Sequence, residues 1–127
     1  MQESWKRKEQ RMKNPKINYE EYEMADGECV AMSTAPILML SLRKKNKKAY
    51  ETLSHIMVKG IDDKDVLGAY EFLYAAYINA NQDEDTLSFE EFIENANPSY
   101  EENMKMVGEM ISPSKKRDSE QPSKEQH

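Results

Sequence analysis

The chain has 127 residues, of which 38% are hydrophobic and 33% charged, and its net charge at pH 7 is −6. This length suffices for one domain with a modest core, and no apolar run approaches the ~20 residues that a membrane span requires. The basic N-terminus lacks the apolar stretch of a secretory signal. The single cysteine, Cys29, cannot form an internal disulfide, which suits a reducing compartment. We therefore expect a cytoplasmic protein that is not bound to a membrane.

The charge is unevenly distributed along the chain. Residues 1–16 carry six Lys/Arg and two Glu, and residues 112–127 carry four Lys/Arg and three Asp/Glu. Residues 17–111 carry eight Lys/Arg and nineteen Asp/Glu. The middle of the chain therefore has a net charge of −11. Because an acidic domain matches phosphate backbones poorly, we expect no nucleic-acid partner.

Residues 1–16 show no apolar periodicity, which predicts a disordered basic segment. Lys8 and Glu9 can be encoded AAG GAG, a bacterial ribosome-binding sequence, and the two codons that follow would supply a spacer before Met12. We hypothesise that translation starts at Met12 and that residues 1–11 are not translated in vivo. Other codons at Lys8 and Glu9 would remove the basis for this hypothesis.

Residues 17–32 are predicted to form a β-hairpin. Asp26 and Gly27 are a favoured pair for a two-residue type I′ turn, which needs positive φ at both central positions. Pairing around that turn predicts this register: Met24 opposite Cys29, and Tyr22 opposite Ala31. The apolar residues before Glu20 are out of step with the alternation of strand faces after Glu21, which indicates a bulge near Glu20 and Glu21.

The hairpin is followed by a helix that begins with hydroxyl caps and Pro36. A dense apolar cluster then runs from Ile37 to Leu42 and is interrupted by the basic run of residues 43–48. We interpret this run as a solvated corner, with a binding patch as the alternative. It lies at a helix C-terminus, where cations interact favourably with the helix dipole. Asn46 either joins two helices or lies within one long helix.

Residues 65–81 are predicted to form the central helix, capped by Asp62 or Asp63. Seven apolar side chains fall within an arc of roughly 140°; these are Val66, Leu67, Tyr70, Leu73, Tyr74, Tyr77 and Ile78. A smaller second face holds three residues: Ala69, Phe72 and Ala76. Either the chain itself covers both faces, or the second face is a docking surface for a partner.

Two capping boxes predict two further helices. Ser88 and Glu91 begin a short helix that ends before Pro98, and Ser99 and Glu102 begin the last one. The last helix carries three closely spaced methionines: Met104, Met106 and Met110. They form either an adaptable partner surface or a gap-filling part of the core.

These elements predict an α+β fold that is mostly α, with an N-terminal β-hairpin followed by four or five helices. The domain spans residues 17–111, and the polar residues 112–127 form a disordered C-terminal tail.

No chemistry-bearing motif is found in the sequence. An EF-hand over residues 79–92 fails, because taking Glu91 as the twelfth ligand puts Asp85 at the position that needs glycine. The sequence has no nucleophile elbow, and His55 is the only histidine of residues 17–111. We expect no catalytic residues, no cofactor and no metal, and therefore an interaction protein.

The order of the motifs resembles a known family. The runs are INYEEYEMADGE, KKNKK, IMVKG, FLYAAYINAN and LSFEEF, within about residues 14–113. In this order they are similar to the tail assembly chaperones of long-tailed phages and prophages of Gram-positive bacteria. The resemblance implies a non-enzymatic protein that coats the tape measure protein, a long helical chain, until tube subunits polymerise around it. It also implies that the chaperone does not remain in the virion.

The same resemblance suggests a second, longer form of the protein. Lys115, Lys116 and Arg117 can be encoded AAA AAA AGA, a run on which ribosomes slip. We hypothesise a −1 frameshift there, which would add a segment that recruits the tail tube protein; AAG codons would argue against it.

No binding residues can be transferred from the family, so the candidate partner-binding residues come from the helix faces alone. They are Ala69, Phe72, Ala76, Met104, Met106 and Met110. The exposed hairpin edges could also pair in a homo-oligomer. Two alternatives stay open: a small prophage-encoded regulatory or adaptor protein, and a minor structural tail component.

Overall fold

The computed structural model describes residues 17–62 and 64–111. Over these residues an antiparallel hairpin, β1 (Glu20–Glu23) and β2 (Cys29–Met32), precedes five helices. The helices are α1 (Pro36–Lys45), α2 (Lys47–Lys59), α3 (Val66–Ala80), α4 (Phe89–Asn95) and α5 (Tyr100–Ile111). The predicted fold class, a mostly helical α+β protein with an N-terminal hairpin, is confirmed. The predicted disordered segments 1–16 and 112–127, and the hypotheses placed on them, lie outside the described residues.

The turn of the hairpin is one residue longer than predicted. Gly27 has a φ of 90°, whereas no described non-glycine residue, Asp26 included, has positive φ, so a type I′ turn does not form. Instead Met24 N–H donates to the Glu28 carbonyl (2.7 Å) and Gly27 N–H donates to the Met24 carbonyl (3.0 Å). The loop is therefore Ala25, Asp26 and Gly27, a three-residue connection with glycine in the left-handed position.

The longer turn shifts the strand register by one residue. Tyr22 lies opposite Val30, not opposite Ala31, and pairing is continuous from Glu20 to Glu23 without the predicted bulge. Because a one-residue shift exchanges the two faces of a strand, the observed register brings the apolar residues of both strands to one face. That face, which packs on the helices, holds Tyr22, Met24, Val30 and Met32.

Helices α1 and α2 are separate, and Asn46 lies at their junction. The Asn46 side chain accepts a hydrogen bond from Ala49 N–H at 3.1 Å, which caps α2. Pro36 is at the start of α1, as predicted, but the N-cap residue is Ala35 and no side chain caps the helix. The Ser33 hydroxyl accepts from Ala35 N–H at 3.0 Å and so stabilises the turn that precedes α1.

The cap of the central helix α3 is Asp65, whose Oδ1 accepts from Gly68 N–H at 2.9 Å. The predicted cap at Asp62 is wrong, because Asp62 Oδ1 accepts from Lys64 N–H at 3.0 Å in the preceding turn. Asp63 lies outside the described residues.

The central helix is enclosed by the rest of the domain. It packs against β2 and against all four other helices. Ten of its residues are buried: Gly68, Ala69, Phe72, Leu73, Ala75, Ala76, Tyr77, Ile78, Asn79 and Ala80. Val66 and Leu67, which the periodicity placed in the core, are instead exposed in the first turn of α3.

The serine N-caps of α4 and α5 differ in whether the glutamate three residues later accepts a hydrogen bond from the backbone N–H of the cap. Ser88 and Glu91 form the complete predicted capping box. At α5, Glu102 N–H donates to the Ser99 hydroxyl at 3.2 Å. However, Ser99 N–H donates to Asn97 Oδ1 at 2.9 Å, and the Glu102 carboxylate accepts from Asn97 Nδ2 at 2.8 Å. The Asn97 side chain therefore takes the place that the second capping box assigned to Glu102.

Candidate protein-binding surface

The predicted docking face of the central helix lies inside the protein. Ala69, Phe72 and Ala76 are each 0% exposed. The chain itself covers them, and even the Ala76 carbonyl is occupied, since it accepts from Ser33 N–H at 3.1 Å. The docking interpretation of these three residues is therefore wrong, and the alternative of a helix covered by its own chain is confirmed.

The three methionines of α5 are divided between core and surface. Met110 is buried, and Met104 and Met106 are half-buried against the hydrophobic core. Met110 is therefore a core residue, and it cannot contribute to a partner surface in this conformation. The methionine cluster as a whole is largely gap-filling.

The sequence-based candidates missed the exposed apolar face of α1. Ile37 is 55% exposed and Leu40 is 59% exposed, while Leu42 is fully buried. At ~100° per residue, Ile37, Leu40 and Lys44 fall within an arc of about 60° that is centred opposite Leu42. These three residues, called the α1 stripe below, form an apolar strip that ends in a cation. The signal was present in the dense apolar cluster after Pro36, which is too apolar all round for one buried face.

A shallow cavity adjoins the α1 stripe. Its volume is about 170 Å³, and it is lined by Pro36, Met39, Leu40, Arg43 and Tyr50. The guanidinium carbon of Arg43 lies 5.8 Å from the centroid of the Tyr50 ring, a cation–π contact. The cavity thus has mostly apolar walls and one cation in its lining, so it could take an apolar side chain from a partner.

The inner side of α1 is fixed to the loop after α3. Gln82 Nε2 donates to the Leu38 carbonyl at 2.8 Å, and Lys45 Nζ lies 2.8 Å from Asp83 Oδ1. With Leu42 in the core, these contacts hold α1 in one orientation. The α1 stripe therefore faces away from the domain.

The basic corner is exposed, as predicted, and borders this surface. Residues 43–48 contain five of the eight Lys and Arg of residues 17–111, and all five are exposed. The remaining parts of that range carry three cations against nineteen Asp and Glu. The C-terminal end of α1 is therefore the basic end of an acidic domain.

A second concave region lies between α2 and α3. Two adjoining cavities of about 310 and 560 Å³ share Lys48, Thr52 and Glu71 in their walls. The larger one also contains His55 and Asp65. Its mixture of acidic and basic groups favours no single ligand charge. Within residues 17–62 and 64–111, no group of three or more His, Cys, Asp or Glu is arranged to hold a metal ion.

Two tyrosines have shifted pKa values, and both are structural. Burial raises the pKa of Tyr22, with the Asn97 backbone hydrogen bond partly opposing the shift. Burial, followed by the nearby Tyr77 and Glu91, raises the pKa of Tyr74. The Tyr74 hydroxyl donates to the Leu87 carbonyl at 2.8 Å, which joins α3 to the segment before α4. Tyr74 also lines the smaller of the two cavities between α2 and α3, but both hydroxyls donate to protein oxygens.

No protein-family model, curated protein or solved structure matches this chain. Among the helices of the described residues, none combines the length and the apolar character that crossing a membrane requires.

Proposed function

We propose that this protein is a non-enzymatic tail assembly chaperone of a long-tailed phage or prophage. It binds the tape measure protein in the bacterial cytoplasm, keeps that chain soluble, promotes assembly of the tail tube around it, and leaves before the virion is complete. In this proposal, a longer form made by slippage at Lys115 and Lys116 recruits the tail tube protein.

The observation that carries the proposal is the α1 stripe with its adjoining cavity. Ile37 and Leu40 lie side by side on a helix that is otherwise anchored, and each exposes more than half of its surface. Because each side chain is already nearly half-buried, covering the rest of one contributes roughly 1–2 kcal/mol, so contact with the apolar face of another helix is favourable. Met39 in the cavity wall adds an adaptable side chain, which suits a partner with irregular apolar spacing. The motif order described above supplies the identity of the partner.

Co-expression with the tape measure protein of the same phage or prophage tests this proposal. We expect the unmodified chain to keep the tape measure protein soluble and to co-purify with it. The double variant Ile37→Asp/Leu40→Asp should lose both effects while keeping its circular dichroism spectrum. Val58→Asp is the matched control, because Val58 is exposed on α2 and does not line the cavity beside α1. A tape measure protein that is equally soluble without this chain overturns the proposal.

Analysis of mature particles separates the alternatives. A chaperone should be absent from purified tails, whereas a minor structural tail component would be found in them. Binding to a host protein, together with no affinity for the tape measure protein, would favour the regulatory or adaptor alternative.

A further inference from the structure

We propose that the α1 stripe selects amphipathic helices whose apolar side is followed by carboxylates, so that the partner is an acidic helix. This inference rests on the proposed function, since it names the chemistry of the segments that the chaperone covers. It comes from the juxtaposition of Ile37, Leu40 and Lys44 on one exposed helix face.

The stripe changes from apolar to cationic within two helical turns. Ile37 and Leu40 are separated by about 4.5 Å along the axis, and Leu40 and Lys44 by about 6 Å. Arg43 lies beside Lys44 and lines the cavity, with its guanidinium over Tyr50. A helix that lies along α1 with apolar side chains on Ile37 and Leu40 would therefore bring its next turn to two cations.

The cations next to the stripe differ in whether they form ion pairs within the domain. Lys45 is paired with Asp83 at 2.8 Å, and Lys47 lies 4.0 Å from Glu51. Lys44 continues the stripe itself and is exposed. Arg43 contacts the Tyr50 ring but is also exposed, so Lys44 and Arg43 are the cations that a docked helix would meet first. An acidic residue there gains a charge-assisted contact, whereas a lysine would meet like charge.

The remaining segments of the chain match this surface less well. Residues 1–16 carry a net charge of +4, which opposes binding beside residues 43–48. Residues 112–127 contain no Val, Leu, Ile, Met, Phe, Tyr or Trp side chain to place on Ile37 and Leu40. A second copy of this acidic chain is the other possible occupant, and the experiment below detects it.

Two stapled helical peptides with the same leucine stripe test the inference on the full chain. One carries glutamates beside and beyond the stripe, and the other carries lysines at the same positions. We expect the glutamate peptide to bind about tenfold more tightly at low ionic strength, and the difference to shrink as salt is added. Arg43→Glu/Lys44→Glu should reverse the preference, and Ile37→Asp/Leu40→Asp should abolish binding of both peptides. Lys59→Glu/Lys105→Glu, which replaces two exposed lysines outside α1, is the charge-matched control and should preserve the preference.

The outcomes separate this inference from the proposed function. Equal binding of both peptides, or a preference unaffected by Arg43→Glu/Lys44→Glu, overturns the acidic-helix inference and leaves tape measure solubility as an independent result. Failure to solubilise the tape measure protein overturns the proposed function even if the glutamate peptide binds. A dimer of the unmodified chain that Ile37→Asp/Leu40→Asp converts to a monomer in sedimentation shows that a second copy covers the stripe, and it overturns the inference.

Discussion

The hydroxyl of Tyr22 in β1 donates a 2.8 Å hydrogen bond to Oδ1 of Asn103 in α5, across 81 positions of sequence. Both side chains are buried. The same tyrosine oxygen accepts from Asn97 N–H at 2.9 Å, and Asn103 Nδ2 donates to the Asn97 carbonyl at 2.9 Å. This closed network joins the hairpin to the last helix. A two-stranded hairpin is marginal by itself in water, so its anchorage depends on such contacts and on the packing of its apolar face.

Tyr22→Phe should lower the free energy of unfolding by about 1–3 kcal/mol, because it leaves the buried Oδ1 of Asn103 and the half-buried N–H of Asn97 without the tyrosine hydroxyl. Urea denaturation followed by circular dichroism measures the change. Tyr50→Phe is the matched control: Tyr50 is half-buried, and phenylalanine retains the ring beneath Arg43. An equal loss in the two variants would mean that the network contributes nothing specific.

Stability should fall in alkaline solution, partly through Tyr22. Burial raises the pKa of Tyr22 above its ordinary value of 10.0, so the folded protein holds the phenolic proton more tightly than the unfolded chain does. Stability from this group is therefore fully present below the unfolded pKa and is lost as pH rises through the folded pKa. Urea unfolding at several alkaline pH values should show a shallower decline for Tyr22→Phe than for the unmodified protein. Parallel declines would contradict the assignment.

Two glycine-to-alanine substitutions should change the stability of the protein in opposite directions. Gly27→Ala should destabilise the hairpin by about 1–2 kcal/mol, because Gly27 has a φ of 90° although space for a methyl group is open. Gly108 lies within α5, its added methyl group would also meet nothing, and Gly108→Ala should stabilise the protein by about 0.5–1 kcal/mol. Thermal unfolding distinguishes the two directions. A neutral Gly27→Ala would argue against the three-residue turn.

Phe72→Ala tests whether Phe72 acts as a core residue or as a docking residue. Because Phe72 is fully buried, its truncation should cost about 3–5 kcal/mol of stability. A docking residue would instead lose partner binding at unchanged stability. Leu40→Ala is the informative counterpart, since Leu40 is exposed and its replacement should change stability by no more than about 0.5 kcal/mol. Thermal unfolding and co-purification of the tape measure protein, measured on both variants, give the comparison.

Local interactions explain which predictions from sequence succeeded. The hairpin, the start of α1 at Pro36 and the capping box of Ser88 and Glu91 depend on residues a few positions apart. The register failed because a glycine in a turn fits both two-residue and three-residue loops. Only the contact of the hairpin's apolar face with the helices distinguishes the two.

The sequence by itself therefore determined the elements, their order and most of their ends, because backbone dihedral preferences and capping act over one or two turns. Which helix face meets solvent was decided by the tertiary structure alone. The Phe72 face of α3 is buried, because α3 is packed against every other helix. Ile37 and Leu40 are exposed, because the core contacts α1 only along the side of Leu42. Apolar periodicity indicates how much of a helix surface can be buried, but the neighbouring elements decide how much of that surface is buried in the folded protein.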